Sequence, residues 1–222
     1  MLIDAWLWCA MSNRCVVGFT LAWLAALALC VALDEPLATM MGCLRLTPLQ
    51  KELLEFIKLG GHFGFVLLIA AALALWHPLR WRAAALLCLC GMLSGLFYVI
   101  LQWAVGRIRP HKRVPALALR PFHDGIYGLF HRIDNLSFPS GHAILAFAAA
   151  SCLARLLPRF RWIFYAAATL VGLSRLLSDS HYLTDVLAGA GLGILATHAV
   201  WSILRAHRAP AMPPAVMLGH AQ

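Results

Sequence analysis

Long apolar runs occupy most of this 222-residue chain. Hydrophobic residues make up 62% of the sequence and charged residues only 12%, about half the charged share that is usual for soluble proteins. A globule of this size cannot bury so many apolar side chains, because too large a part of any small globule is surface. The composition therefore excludes a soluble enzyme and indicates an integral membrane protein.

A membrane-spanning helix needs roughly 17–25 mostly apolar residues. Six runs reach or approach this length, at 15–33, 61–76, 83–106, 141–157, 162–177 and 186–204. Arginines near the ends of the fourth and fifth runs can extend to the lipid headgroups. We therefore predict an all-α fold in which residues 1–222 form one membrane domain of six transmembrane helices, with short interfacial helices on the outer side.

The charge distribution predicts the orientation of these spans. With six crossings both termini lie on one side, and that side carries eight arginines against a single acid, Asp4. The positive-inside rule places this side in the cytoplasm, so the connections at 34–60, 107–140 and 175–185 face outward. The net charge of +9 thus reflects membrane topology and not a nucleic-acid partner. A cleaved signal peptide is an alternative for the first run, but the run is longer than a usual signal core and we expect it to be retained.

Two of the outer connections contain helical patterns. Thr47 to Gln50 matches a capping box with proline at the first helical position. The residues that follow place Leu49, Leu53, Phe56 and Ile57 on one apolar face, which is typical of a helix on the membrane surface. Residues 122–136 also show helical spacing, and they form either a second such helix or a loop that rests on lipid.

Polar residues cluster where predicted spans meet the outer surface. They lie at 106–110 after the third run, 139–142 before the fourth, 174–175 after the fifth and 181–185 before the sixth. Because successive spans alternate in direction, all four places lie at the same face of the membrane. Polar groups beside hydrocarbon are costly, so their convergence there indicates a functional site.

The residues at these places suit a phosphate group. Arg109 and Arg175 carry planar guanidinium groups that match phosphate oxygens. Ser140 and Gly141 stand at a predicted helix start, where unpaired N–H groups and the helix dipole favour an anion. These four residues therefore predict a binding site for phosphate.

Two histidines supply the chemistry that such a site would need. His181 and Asp185 are four residues apart, so on a helix they share one face and can form a hydrogen bond. A carboxylate that holds one ring nitrogen leaves the other unprotonated. His142 adds a second imidazole from a different helix. Together with the phosphate-binding residues, this pattern predicts a phosphoryl-transfer site.

Other interpretations stay open at this point. Arginines at span ends often only anchor to lipid phosphates, and a His–Asp pair can be purely structural. His142, His181 and Asp185 are also ligand types that suit zinc or iron. The arginines would place positive charge beside such a metal, so the pattern favours phosphate. A channel or transporter is disfavoured, because no charged residue lies at the expected midpoint of any span.

The motifs resemble the three-part signature of the type 2 phosphatidic acid phosphatase superfamily. They are Arg109-Pro110, then Pro139-Ser140-Gly141-His142, then Ser174-Arg175 followed by His181 and Asp185. The resemblance covers residues 83–205, which would form the catalytic core. It implies a six-helix integral membrane phosphatase that needs no metal or other cofactor and works through a phosphohistidine.

The resemblance also implies a role for each matching residue. His181 would be the nucleophile, Asp185 the carboxylate that orients it, and His142 the general acid and then the base. Arg109, Ser140, Gly141 and Arg175 would bind the phosphate. In the family a lysine usually lies seven residues before the first-motif arginine, whereas this chain has Gln102 there. Gln102 would donate a hydrogen bond to phosphate without bringing charge, and Arg107, Lys112 or Arg113 would supply the missing positive charge.

The predicted function is therefore a bacterial inner-membrane phosphatase whose site faces the periplasm or the cell exterior. Its partners would be the surrounding membrane lipids and a phosphorylated lipid substrate: polyprenyl pyrophosphate, phosphatidic acid, phosphatidylglycerol phosphate or lipid A. Two alternatives remain, a lipid phosphotransferase and a catalytically silent lipid-binding member of the same fold.

Overall fold

The computed structural model describes residues 13–122, 125 and 135–206. Within these residues the chain forms seven α-helices, and no strand beyond two isolated bridges. The helices are α1 (Asn13–Gly42), α2 (Pro48–Lys58), α3 (Phe63–Trp76), α4 (Arg80–Val105), α5 (Gly141–Leu156), α6 (Arg161–Leu177) and α7 (Leu183–Ala206). The all-α prediction is confirmed.

Four described segments are long and apolar enough to cross a membrane. They are Val16–Gly42, Arg80–Val105, Pro158–Leu177 and Leu183–Arg205. A fifth candidate arises if Pro48–Gly61 and Phe63–Trp76, which are bent by 58° relative to each other, count as one broken span. The apolar helix α5 is shorter. The chain is therefore an integral membrane protein with four or five candidate spans by this measure.

The first helix is longer than the sequence predicts. The apolar run ends at residue 33, but α1 continues to Gly42. The prediction is wrong because it takes Asp34 and Glu35 as the start of a polar loop, whereas both carboxylates have partners in the folded chain. Asp34 is paired with Arg107, and Glu35 accepts a hydrogen bond of 2.9 Å from the Ala116 N–H. The connection predicted at 34–60 begins only after Gly42.

The other predicted runs coincide with α3 to α7. Their ends differ from the helix ends by at most three residues; for example, the third run was predicted to begin at residue 83, and α4 begins at Arg80.

The capping box of α2 is also confirmed. Thr47 Oγ1 accepts from the Gln50 N–H at 3.3 Å, and Gln50 Oε1 accepts from the Thr47 N–H at 2.8 Å. Most of the second segment, 122–136, lies outside the described residues.

Helix α5 is the centre of the bundle. It contacts α4, α6 and α7, while α1 packs along α7 and α3 along α4. The main core lies between α3, α4, α5 and α7, and its fully buried members include Val66, Leu87, Cys90 and Cys152. Because α5 contacts so many neighbours, its first residues are held at the end of the bundle where α6 ends and α7 begins.

Glycines bring α7 close to α5. A Cβ atom at Gly189 would lie 2.7 Å from the Ser140 carbonyl oxygen, and one at Gly193 would overlap the Ile144 carbonyl oxygen. The backbones are close enough for the Ser140 N–H to donate a 3.0 Å hydrogen bond to the Asp185 carbonyl. The close helix packing that small residues permit thus fixes the start of α5 against the first turn of α7.

We expect Gly193→Ala to destabilise the fold, because the added methyl group would meet backbone that cannot move aside. Overpacking of this kind typically costs about 1–3 kcal/mol. Gly95→Ala in α4 is the matched control, since nothing lies within 4 Å of a Cβ atom there and replacing a helical glycine by alanine gains about 0.5–1 kcal/mol. Thermal unfolding of both variants in detergent is the measurement. Equal midpoints for the two variants would contradict the packing described here.

Candidate active site

Gly106, the residue that follows α4, sets the direction in which the chain enters the first motif. Gly106 has a φ of +62°, and a Cβ atom there would overlap the Arg120 carbonyl oxygen, so this position requires glycine. The chain then runs extended, and Arg109 N–H donates to the Asn135 carbonyl at 3.0 Å. The Ser137 N–H donates to the Arg107 carbonyl at 2.7 Å. The first motif is thereby attached to the segment that leads into the second.

The predicted site residues converge at one end of the bundle. His142 interacts electrostatically with Arg175 and His181, and His181 interacts with Arg109 and Arg175. These residues are buried. The exposed fraction is 6% for His181 and 5% for Arg175, and it is zero for Ser140 and Asp185. The structure thus brings together residues from all three motifs, which the alternating direction of the spans predicts.

His181 is oriented by a backbone carbonyl. Its Nδ1 lies 2.8 Å from the Ser137 carbonyl oxygen. A carbonyl oxygen only accepts hydrogen bonds, so Nδ1 carries the hydrogen and Nε2 of the neutral ring has a free lone pair. Burial lowers the pKa of His181 below its ordinary value; Asp185 opposes this change, and the nearby Arg109 and Arg175 reinforce it. The ring is therefore neutral near pH 7, as a nitrogen nucleophile must be.

The structure places the Asp185 carboxylate close to this ring, beyond the length of an ordinary hydrogen bond. Asp185 Oδ2 lies 3.7 Å from His181 Nδ1 and accepts a 2.8 Å hydrogen bond from the Tyr182 N–H. The helical spacing does not apply, because α7 begins at Leu183 and His181 lies before it. Asp185 thus acts on His181 as a nearby charge.

His142 lies in the first turn of α5 and has a partner that the sequence analysis missed. Its Nε2 is 3.3 Å from Nε2 of His62, and the two rings meet edge to face with centroids 4.8 Å apart. A Cβ atom at Gly61 would lie 2.7 Å from the His142 Cβ atom. The sequence signal for this contact is the pair Gly60-Gly61, because the glycine at position 61 permits this close approach.

Two buried side chains at the site lack hydrogen-bond partners. They are Arg175, at Nε and Nη1, and Ser140, at Oγ. Buried donors without an acceptor are costly and usually indicate a ligand or a functional role. The Ser140 N–H is occupied by the Asp185 carbonyl, so at this residue the hydroxyl is the group that remains available to a ligand.

Gly141 and Gln102 support the same region. A Cβ atom at Gly141 would lie 2.9 Å from the Tyr98 ring, so glycine lets the start of α5 approach α4. Gln102 Nε2 lies 3.4 Å from the Leu136 carbonyl oxygen, which also accepts a 3.0 Å hydrogen bond from Arg109 Nε. Gln102 and Arg109 are thus held beside each other on the segment before the second motif.

Two of the basic residues that could replace the charge missing at Gln102 are paired with carboxylates. Arg107 is 5% exposed and paired with Asp34 and Asp185, and Arg113 is paired with Asp179 at 2.7 Å. Lys58 at the end of α2, which is paired with Glu55, also interacts electrostatically with His142. A lysine on a surface helix gives no sequence signal of this contact.

Metal ligation was the alternative for these residues. Among residues 13–122, 125 and 135–206, no group of three or more His, Cys, Asp or Glu side chains has an arrangement that could hold a metal ion.

A family model described as the PAP2 superfamily matches residues 83–209. This chain belongs to that superfamily. The resemblance in the three motifs is confirmed, and the matched region starts at the same residue as the predicted core, 83–205. The match covers α4 to α7, which carry Arg109, His142, Arg175 and His181.

Curated relatives match over part of their length. The lipid A 1-phosphatase of Rhizobium etli is 37% identical over 107 residues, which are 45% of this chain and 41% of that protein. The bacitracin transport permease protein BcrC of Bacillus licheniformis is 45% identical over 65 residues, which are 29% of this chain and 32% of that protein. The chain therefore matches less than half the length of these relatives.

Two solved structures share the fold. The PAP2-type phosphatidylglycerolphosphate phosphatase of Bacillus subtilis has a TM-score of 0.64 at 23% identity, covering 88% of this chain and 98% of that one. Aquifex aeolicus LpxE has a TM-score of 0.60 at 21% identity, covering 77% of this chain and 95% of that one. Because these sequence identities are low, the two comparisons show that the fold is shared.

Inorganic phosphate is expected to raise the unfolding midpoint of this protein, because it would pair with the unpartnered Arg175 nitrogens. Each kcal/mol of binding free energy raises the midpoint by about 2–4 °C. Arg175→Gln should lose this shift. Arg161→Gln is the control, since it removes the same charge at the other end of α6, about 21 Å away at 1.5 Å per residue. Equal shifts in both variants would place the phosphate elsewhere.

Proposed function

We propose that this protein is a metal-independent phosphatase of membrane lipids that works through a phosphohistidine at His181. The observation that carries the proposal is the 2.8 Å contact of Nδ1 with the Ser137 carbonyl, which leaves Nε2 unprotonated beside a buried arginine. The lipid phosphatases among its relatives support the same reaction class.

The reaction begins when the lone pair of His181 Nε2 attacks phosphorus. A bond from phosphorus to Nε2 forms as the bond to the leaving oxygen breaks, and His142 protonates that oxygen. Water then attacks the phosphohistidine while His142 removes its proton, and the N–P bond breaks to release inorganic phosphate. General acid–base catalysis of this kind typically contributes 10²–10⁴ in rate.

The remaining site residues hold the transferred group. Arg109 and Arg175 bind its equatorial oxygens, and the Ser140 hydroxyl donates to one of them. Gly141 lets the phosphate approach the start of α5, and Gln102 adds an uncharged donor beside Arg109. Asp185 stabilises the positive charge that His181 gains when it is phosphorylated.

The membrane arrangement that we propose has six spans, with α3 and α5 as short crossings. Helix α2 lies in the outer interface, where its exposed Leu49, Leu53 and Phe56 (75%, 54% and 70%) contact lipid. The cytoplasmic arginines then place the site at the periplasmic or exterior face of a bacterial inner membrane, and the bacterial relatives support this location.

A lipid substrate is supported by a groove of about 490 Å³ between α3, α5 and α6. The side chains that line it are almost all apolar. The groove extends from Gly60, next to the pair of histidines, to Trp76 at the far end of α3. An acyl or prenyl chain in this groove would place its phosphate beside His142. Polyprenyl pyrophosphate, phosphatidic acid, phosphatidylglycerol phosphate and lipid A all have such chains.

The decisive experiment measures phosphate release from these four lipids by the purified protein in detergent. We expect at least one lipid to be hydrolysed, and His181→Ala to reduce release by about 10³-fold or more, since it removes the nucleophile. His198→Ala, on α7 and about 22 Å from the start of that helix at 1.5 Å per residue, is the control and should keep full activity.

Four results would change the proposal. Release that survives in His181→Ala would show that the nucleophile is misassigned. Loss of activity in chelator, restored by zinc, would favour a metal site. Turnover that yields free phosphate only when an acceptor lipid is present would identify a phosphotransferase, and no turnover of any lipid would identify a silent binding protein.

Blocking the groove should affect only substrates with long chains. Ala167 lines the groove and is exposed, so Ala167→Trp fills it with little strain on the core. Displacing two methylenes costs about 1.6 kcal/mol, so KM for dioleoyl phosphatidic acid should rise more than about tenfold. KM for the dihexanoyl lipid should not change. Ala166→Trp, one residue away on α6 and outside the groove, should leave both KM values unchanged; if it matches Ala167→Trp, the groove does not hold the chain.

A further inference from the structure

A buried cluster of charges connects α1 to the third motif. Asp34 is 1% exposed, and its carboxylate accepts a 3.0 Å hydrogen bond from the Thr184 N–H and another from the Thr184 hydroxyl. Asp34 Oδ2 also pairs with Arg107 Nη2 at 2.7 Å. Asp34 thus lies 150 residues from Thr184 in sequence and directly beside it in the fold.

Arg107 connects the two carboxylates of this cluster. Its Nη1 donates to Asp185 Oδ1 at 2.9 Å and to the Thr184 hydroxyl at 2.7 Å. Its Nε donates to the Ala116 carbonyl at 2.7 Å, and its guanidinium lies 3.9 Å from the centre of the Tyr182 ring. The nitrogens of this side chain are therefore held by α1, by the Ala116 carbonyl and by the start of α7 beside His181.

The cluster contains two carboxylates and only one guanidinium group. Asp34 and Asp185 each carry −1 and Arg107 carries +1, so the three together carry −1. Without Asp34, Arg107 would cancel the charge of Asp185. Buried charges interact strongly because little water screens them.

We propose, on the basis of the function assigned above, that Asp34 and Arg107 are positioning residues. Arg107 holds the Asp185 carboxylate in place, and Asp34 balances Arg107 so that the negative charge of Asp185 still acts on His181. A helix outside the matched region 83–209 thereby contributes to the reaction.

This charge matters at the step in which His181 attacks phosphorus. The ring donates its Nε2 lone pair to the new bond while Nδ1 keeps its hydrogen, so the imidazole becomes a cation. The charged groups that face it are Asp185, Arg109, Arg175 and His142. Arg109 and Arg175 carry positive charge, so a buried cluster with a net negative charge stabilises the cation against them.

The test compares Asp34→Asn, Arg107→Gln and the double variant with the wild-type protein. Rates are measured with dioctanoyl phosphatidic acid, and the titration of His181 is followed by NMR on ¹⁵N-histidine-labelled protein, with His181→Ala to assign the signal. Asp34→Asn should lower kcat by about 10- to 10²-fold, leave KM within about twofold because it touches no substrate, and move the titration of His181 to lower pH.

The double variant separates charge from simple structure. It restores the net charge of −1, so it should recover part of the kcat and of the titration that Asp34→Asn loses. A double variant worse than both single variants would show that the cluster only stabilises the fold. Glu35→Gln is the matched control: glutamine keeps an oxygen that can accept from the Ala116 N–H and removes only the charge of an exposed residue, which solvent screens, so both readouts should stay at the wild-type values.

The two readouts distinguish this proposal from the proposed function. If no lipid is hydrolysed but Asp34→Asn shifts the titration of His181 as expected, the phosphatase assignment fails and the positioning role stands. If the wild type is active and Asp34→Asn leaves both kcat and the titration unchanged, the positioning role is refuted and the phosphatase assignment stands.

Discussion

Where α7 crosses the start of α5, the backbone of one helix lies directly on the backbone of the other. Gly189 makes this possible, since any side chain there would meet the Ser140 carbonyl. The same contact lets the Ser140 N–H bond to the Asp185 carbonyl and thereby ties the second motif to the third. A larger residue would separate the helices and carry His142 away from His181. The chemistry of the site therefore depends on a packing contact that contains no catalytic group.

This contact places His181 between two regions of opposite charge. On one side lie Arg109 and Arg175, whose charges act on the ring, and on the other lies Asp185 with its buried partners. An attack on phosphorus creates positive charge on the ring and leaves negative charge on the phosphate oxygens. In the proposed reaction each region would face the charge that it stabilises, and electrostatic stabilisation is most effective when such groups are fixed before the substrate binds.

The motif residues and helices α3 to α7 are predictable because their signals are local. An apolar run of sufficient length predicts a span, and the alternating direction of spans predicts that Arg109 and His181 meet at one face. The end of α1 was not predictable in this way. A run that stops at Asp34 looks like the end of a span, and only its ion pair with Arg107, far away in sequence, allows the helix to continue.

The difference between local signals and long-range contacts also explains what the sequence analysis missed within the site. Side-chain types identify His181 as a nucleophile, but its orienting partner is the carbonyl of Ser137, and every residue has a carbonyl. The helical spacing that pairs His181 with Asp185 fails because α7 begins two residues after His181. Element ends, backbone acceptors and ion pairs between distant residues are set by the tertiary fold, so a single sequence gives no pattern for them.

The position of Gln102 shows how the site retains its charge without the first-motif lysine. Its amide shares the Leu136 carbonyl with Arg109, so a neutral residue there supports an arginine without repelling it. The positive charge around His142 then comes from Arg175 and from Lys58, which belong to α6 and α2. These two cations lie on separate helices, so the positive charge near His142 does not depend on the residue at position 102. A glutamine at position 102 is therefore compatible with a site that attracts phosphate.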